Sequence, residues 1–205
     1  MKIQENPYIK RMLATTAAHI KAGDERQKRI EKLEAERDSV HTSPHAKNNI
    51  MDELSLIPKE TANDQSEYAK KIKSIADEAI AAIKAWGVPS GENLPDANVL
   101  SGAITLTADD LTALEQKHLG NETWARMLKD YARKHNLQWM RRSPSCELKI
   151  KAMGEAAKYF SDFREDGMSA QMFTLYEMGQ GQAVTSFLSR HDPIIGDGSE
   201  LKAIK

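Results

Sequence analysis

Histidine and cysteine are the side chains most able to do chemistry, and the chain offers six of the first and one of the second. His41 and His45 stand four apart, a spacing that lets two imidazoles meet one metal ion across a helical turn. Pro44 marks a helix start between them, and no cysteine, aspartate or glutamate is patterned as a third ligand. Exposed turn histidines are the plainer reading, and no metal is expected. His19, His118 and His135 are single residues with no partner at motif spacing. Cys146 falls in the first turn of an expected helix, where the dipole favours a thiolate. No histidine is placed to activate it, so a packed cysteine is expected. Gly179-Gln180-Gly181 is a fragment of a glycine loop without the third glycine, the lysine or a preceding strand. It reads as a hinge. Asp109 and Asp110 form an acidic pair that helix capping explains without catalysis. No residue takes a catalytic or cofactor-binding role, and the chain is expected not to be an enzyme.

Charge is the remaining candidate. Arg126, Lys129, Arg133, Lys134, Arg141 and Arg142 lie close together in the chain against one acid, Asp130. The first three share one side of a helix at three-to-four spacing and could lie on nucleic acid, with Trp139 beside Arg141 and Arg142. A surface for an acidic protein, or a solvated helix face, explains them better than nucleic acid does, because six bases without a whole-domain excess make a weak footprint. The whole chain, with 29 bases and 30 acids, has a net charge of −1, which argues against a polyelectrolyte role on DNA or a membrane surface. One cysteine excludes an internal disulfide and fits a reducing compartment. No secretory leader and no long apolar span is legible, so a cytoplasmic protein is expected.

The elements that must position these groups are helical. Asn6-Pro7 opens a helix carrying Ile9, Met12, Leu13, Thr16, Ala17 and Ile20 on one face. Gly23-Asp24 is expected to break or kink it, with Asp24 capping a second helix whose thin stripe is Ile30, Leu33, Arg37 and Val40. Ser43-Pro44 starts a short helix that Pro58 closes. Another begins at Asp64 or Ser66, with Tyr68, Ile72, Ile75, Ala79, Ala82 and Trp86 in a heptad seam, widened by Ile80 and Ile83. Gly87-Val88-Pro89 ends it, so 24–86 reads as an antiparallel hairpin. Five glycines and prolines make 87–105 a linker, with at most one helical turn near residues 97–100. Thr107 then caps a helix, Gly120 supplies a left-handed stop, and Asn121 caps the next, whose buried face is Trp124, Met127, Leu128 and Tyr131. Further helices are expected from Ser143-Pro144 to Gly167, and from Ser169 onward with a break at 179–181. The tail after His191-Asp192-Pro193 is expected to be extended.

Two blocks carry a resemblance. They are the charged helix followed by His-Thr-Ser-Pro-His-Ala-Lys-Asn-Asn-Ile at 41–50, and Leu-Thr-Ala-Asp-Asp-Leu-Thr-Ala-Leu-Glu through Gly-Asn-Glu-Thr-Trp at 106–124, ending in Tyr-Ala-Arg-Lys-His-Asn. The chain resembles helical structural and assembly proteins, scaffold-like in type, of tailed phages and prophages of Gram-positive bacteria. The resemblance implies a non-enzymatic part in head morphogenesis or virion assembly, a coat- or portal-type protein as partner, and a place in the host cytoplasm or the virion.

The sequence reading is therefore an all-α protein: an elongated N-terminal hairpin or coiled-coil stalk (1–86), a linker (87–105), a compact three-to-four-helix module (106–190) and an extended tail (191–205). The module is expected to hold its own core, from Leu111, Leu114, Trp124, Leu128, Tyr131, Met153, Phe160 and Phe163. The seam of Tyr68, Ile72, Ile75, Ala79 and Trp86 is the candidate surface for a homo-oligomer. A helical interaction protein is the first functional expectation. A nucleic-acid-binding or regulatory module using 126–142 is the alternative.

Overall fold

Asn6 ends one short turn and begins the first long helix. Its Oδ1 accepts from the amides of Tyr8 and Ile9, and Pro7 takes the first helical position, where a missing N–H costs nothing. The computed structural model describes residues 2–88, 96–101, 104–165, 167–199 and 201. In it the helix so begun, α1 (Pro7–Asp38), passes straight through Gly23. The expected break is absent, and the glycine has another cause. A Cβ at position 23 would lie 2.5 Å from the Cβ of Glu165 and 2.7 Å from its carbonyl oxygen. Gly23 lets the 162–165 loop rest directly on α1, which offsets a mid-helix glycine cost of about 1 kcal/mol.

Ser43 caps α2 (Pro44–Trp86) by accepting from the Ala46 amide. This helix also ignores its expected stop at Pro58 and restart at Asp64 or Ser66. The proline removes one backbone bond, at a cost of about 3 kcal/mol in a helix interior. Its ring faces solvent, while one face stays buried on both sides of it: Ile50 and Ile57 before, Tyr68, Ile72, Ile75 and Ala79 after. Packing along that single face outweighs the lost bond.

The shorter helices are α3 (Ala97–Ser101), α4 (Ala108–Lys117), α5 (Glu122–Lys134), α6 (Cys146–Ser161), α7 (Gly167–Glu177) and α8 (Gln182–Ile195). No strand occurs among the described residues, so the chain is all-α. α3 is the one helical turn expected inside 87–105; residues 89–95 and 102–103 of that linker lie outside the described residues. α6 starts later than Ser143-Pro144, because Ser145 is the residue that accepts from the Leu148 amide. α8 is also longer than expected. It runs through Pro193 to Ile195, with Asp192 accepting from the Ile3 amide, so the chain from 191 to 195 is helix rather than extended tail.

The apolar residues do not sort as the boundary at 87–105 expects. One core combines Ile9, Met12 and Ile20 of α1 with Tyr68, Ile72, Ile75, Ala79 and Ile83 of α2, and with Met153, Phe160, Phe163, Phe173, Val184 and Leu188 of α6–α8. A second, smaller one holds Leu106, Leu111, Trp124, Leu128 and Tyr131, with Leu114, Leu137 and Trp139 at its edge. Met153, Phe160 and Phe163 thus pack with the hairpin and not with Trp124. The heptad seam is filled by the chain's own helices, which leaves Tyr68, Ile72, Ile75 and Ala79 no free stripe for another copy. Trp86, at its end, is half-buried.

Polar groups fix the crossing of α1, α2 and α6. The Tyr68 hydroxyl donates to the carbonyl of Phe160, at the end of α6, and its oxygen lies 2.9 Å from the hydroxyl of Thr16 on α1. Gln65 donates to the Phe163 carbonyl at 3.1 Å and meets His19 Nε2 at 3.0 Å. His19 in turn stacks on Tyr68, ring centroids 4.1 Å apart. Carbonyls at a helix end have no partner within their helix, and here side chains of a neighbouring helix supply one.

Two measurements test this account. Gly23→Ala should destabilise by about 1–3 kcal/mol in urea unfolding, because the crowded atoms are backbone and Cβ. Gly154→Ala, where a methyl meets nothing within 4 Å, should stabilise by about 0.5–1 kcal/mol. Equal effects would mean that Gly23 is not a contact point. Burial pushes the Tyr68 phenol from 10.0 up to about 12. Between those values the folded chain keeps a proton that the unfolded chain has lost, so stability should fall as pH rises through that window, by roughly 2–3 kcal/mol at most. The urea midpoint of Tyr68→Phe should drop less than that of the wild type between pH 8 and pH 11.5, and an equal drop would refute the assignment.

Candidate functional site

Two glutamates shape the region that holds the basic cluster. Glu115 comes four residues after Leu111, on the buried face of α4. It accepts from the amides of Arg142 and Ser143 and from the Ser143 hydroxyl, the last at 2.7 Å. Glu122 opens α5, where the helix dipole favours a carboxylate. One of its oxygens pairs with Arg126 at 3.2 Å and the other with Arg141 at 2.7 Å, although its side chain is only 4% exposed. Arg141 also donates to the carbonyls of Ser143 and Pro144. The connector from α5 to α6 is therefore held from below by buried carboxylates.

Above them lies a cleft of ≈ 380 Å³ lined by Glu122, Arg126, Lys129, Trp139, Met140, Arg141, Ser145, Cys146 and Glu147. Of the six basic candidates, the fold brings Arg126, Lys129 and Arg141 to this cleft. Arg133 pairs with Asp130 at 3.1 Å on the exposed part of α5, while Lys134 and Arg142 are exposed elsewhere. Among the described residues, Lys129, Lys134 and Arg142 have no ion-pair partner. Half of the cluster is thus bound internally, and Arg141 is a structural strut.

Cys146 sits packed in the first turn of α6, as expected. Burial pushes its thiol up, and its Sγ lies 3.5 Å from the Ile83 carbonyl. A Cβ on Gly87 would meet that sulfur at 2.6 Å, so the end of α2 and the start of α6 touch through a glycine and a cysteine. Trp86 completes the joint between the two cores: its indole N–H donates to the Gly120 carbonyl at 2.8 Å, and Lys149 lies over its ring. Gly120 has φ +86°, the left-handed conformation expected of it.

The histidines fall into two groups. His41 and His45 are exposed, and no group of three metal-binding side chains occurs among the described residues. His118 does have a partner: its Nε2 lies 3.2 Å from Asp96, and its ring stacks on Trp124 at 4.3 Å. Lys117 and His118 hold the Asp96 carboxyl below its usual range, which ties α3 to the end of α4. His135 stacks on Tyr131. Such partners are invisible to motif spacing, because Asp96 lies 22 residues from His118. The sequence reading also missed Glu115, although an acid in helical phase with the buried Leu111 is the signal that could have found it.

No known protein family, curated protein or solved structure matches the chain. No described helix is long and apolar enough to cross a membrane.

Glu115→Ala should leave two backbone N–H groups and a hydroxyl unpartnered, costing about 2–4 kcal/mol by thermal or urea unfolding. Lys129→Ala should stay within about 0.5 kcal/mol of wild type. Similar stability for the two would show that the connector is not held by Glu115.

Proposed function

We propose that this chain is a non-enzymatic helical interaction protein, of the phage-type structural or assembly class it resembles, and that it binds its protein partner through the outer part of the α1–α2 hairpin. The observation that carries this reading is where burial stops. Residues 24–63 bury only Ile50 and Ile57, and contribute nothing to either main cluster. At 1.5 Å per residue, 24–38 extends roughly 20 Å past Gly23. The two helices of this arm are joined by exposed ion pairs of Arg29 with Glu53 and Glu60, which solvent screening keeps weak. Val40 at its tip is 90% exposed, and Met51 and Leu56 are more than half exposed. An arm with mixed charge and isolated apolar points suits a protein surface better than a polyanion.

The second reading, nucleic-acid binding, rests on the unpaired cations Lys129, Lys134 and Arg142. One set of variants separates the two. Residues 27–60 are replaced by a short Gly/Ser turn, and the shortened chain is compared with the full chain and with a Lys129→Glu/Lys134→Glu double variant. Each is co-expressed with the products of the flanking genes, coat- and portal-type proteins above all. The shortened chain should melt within a few degrees of the full chain yet lose its partner, while the double variant keeps it. Retention of the partner without the arm would overturn the proposal. Duplex DNA binding that collapses with salt and vanishes in the double variant would establish the second reading instead.

A further inference from the structure

His191 is 5% exposed and lies on α8 between two groups that can only accept hydrogen bonds. Its Nδ1 is 2.9 Å from the Phe187 carbonyl oxygen, one helical turn back, and its Nε2 is 3.0 Å from Glu155 Oε2 on α6. A neutral imidazole has one N–H and one lone pair. In that state one of these contacts sets a lone pair against an acceptor. Only the doubly protonated ring satisfies both. The ring also lies against Phe187, centroids 4.3 Å apart, and Phe187 stacks on Tyr159 of α6 at 3.9 Å.

We infer that His191 and Glu155 form a proton-dependent latch that docks α8 on α6 fully only while the imidazole carries both protons. What the latch holds is more than one helix. Asp192, the next residue, accepts from the Ile3 amide, and Asn6, the cap of α1, donates to the Gly196 carbonyl at 3.5 Å. The N-terminal turn (Lys2–Glu5) therefore rides on the end of α8. Loosening α8 from α6 loosens the start of the chain with it.

The charges around the ring set the balance. α6 presents Glu155, and Lys151 on the same helix also acts on that carboxylate; α8 itself contributes Arg190. Asp192 is engaged with Ile3, and the N-terminal turn brings Lys2 and Glu5, the latter paired with Lys10. The one charged residue of α7 between Gly167 and Glu177 is Glu177 itself. Of these groups, Glu155 is the one in hydrogen-bond contact with the ring. The His191 bond holds the Glu155 carboxyl below its usual range, and the acid stays ionised throughout mildly acidic pH. Glu155 is half exposed, so when the ring loses a proton the carboxylate can turn to water and the contact opens without unfolding α6.

Hydrogen exchange of the full-length protein tests the latch. Protection factors, corrected for the intrinsic pH dependence of exchange, are measured for peptides covering 182–195 and 2–9 from pH 5.5 to pH 8.5. In the wild type they should fall by about tenfold as pH rises, the equivalent of one charge-assisted hydrogen bond. Glu155→Gln should remove the slope, because an amide can donate to the neutral ring and accept from the charged one. Ring ¹⁵N shifts of His191 supply the second readout, with two protonated nitrogens at the low-pH end and one at the high-pH end as the transition proceeds. Flat wild-type protection, an unchanged slope in Glu155→Gln, or a ring that titrates without any change in protection would each overturn the inference.

Discussion

The hydroxyl of Tyr68 sits where three helices cross, and most of the fold hangs on that crossing. It belongs to α2, donates to a carbonyl that ends α6, and lies beside Thr16 of α1. A tyrosine 3% exposed could not remain there without such partners, because an unpaired hydroxyl in an apolar core costs several times what a paired one contributes. Helix packing alone allows sliding by a turn. The hydroxyl, the Gln65 amide and the His19 ring remove that freedom, since each has one place where its hydrogen bonds close. The crossing also fixes where the hairpin stops being covered: Gly23 meets Glu165 just beyond it, and Arg26 bonds both Glu165 and Asp64.

Buried carboxylates do for the connectors what Tyr68 does for the helices. Glu165 anchors the loop after α6 to Arg26, Glu115 gathers backbone amides of the segment before α6, and Glu122 ties two arginines to the same place. All three are at most 8% exposed. Several donors converge on Glu115 and on Glu122, so each acts as a template for the chain around it. Glu165, by contrast, is held by Arg26 on one oxygen, and its other, buried oxygen has no hydrogen-bond partner among the described residues. Much of the basic cluster follows from this. Arg126 and Arg141 are the ion-pair partners that the buried Glu122 carboxylate requires.

How far the sequence disclosed the structure depended on how local the determinant was. The caps at Asn6, Ser43, Thr107 and Asn121 were legible, since each is settled by a side chain and an amide two or three residues away. Gly23 and Pro58 were misread for the complementary reason. Their local preferences favour a stop, and packing against partners from 142 residues away in one case, and along a whole helix face in the other, overrides them. For Pro58 a signal did exist: Ile50 and Ile57 are in phase with Tyr68, Ile72 and Ile75, which two separate helices would have no reason to preserve. The sorting of Phe160 and Phe163 with the hairpin instead of with Trp124 carried no such signal, because an apolar residue does not say which apolar neighbour it will meet. At the candidate site, the positions of the cations were readable but their internal use was not, as Glu122 and Arg141 meet only once α4, α5 and the connector are in place.

The two halves of the hairpin are thus one pair of helices under different constraints. Inboard of Gly23 and Asp64, the apolar facing residues are buried, and Thr16, His19, Gln65 and Tyr68 are joined by hydrogen bonds. Outboard, Ile30, Leu33, Leu54 and Thr61 remain half-buried, and ion pairs replace apolar contact. A two-helix pair of that kind gains little from its own seam and owes its form to the crossing that anchors it. Continuous helix across Gly23 and Pro58 is what transmits that anchorage outward. A break at either position would uncouple the arm's direction from the core, so the two residues that look most like stops are the ones where continuity matters most to how the arm is held.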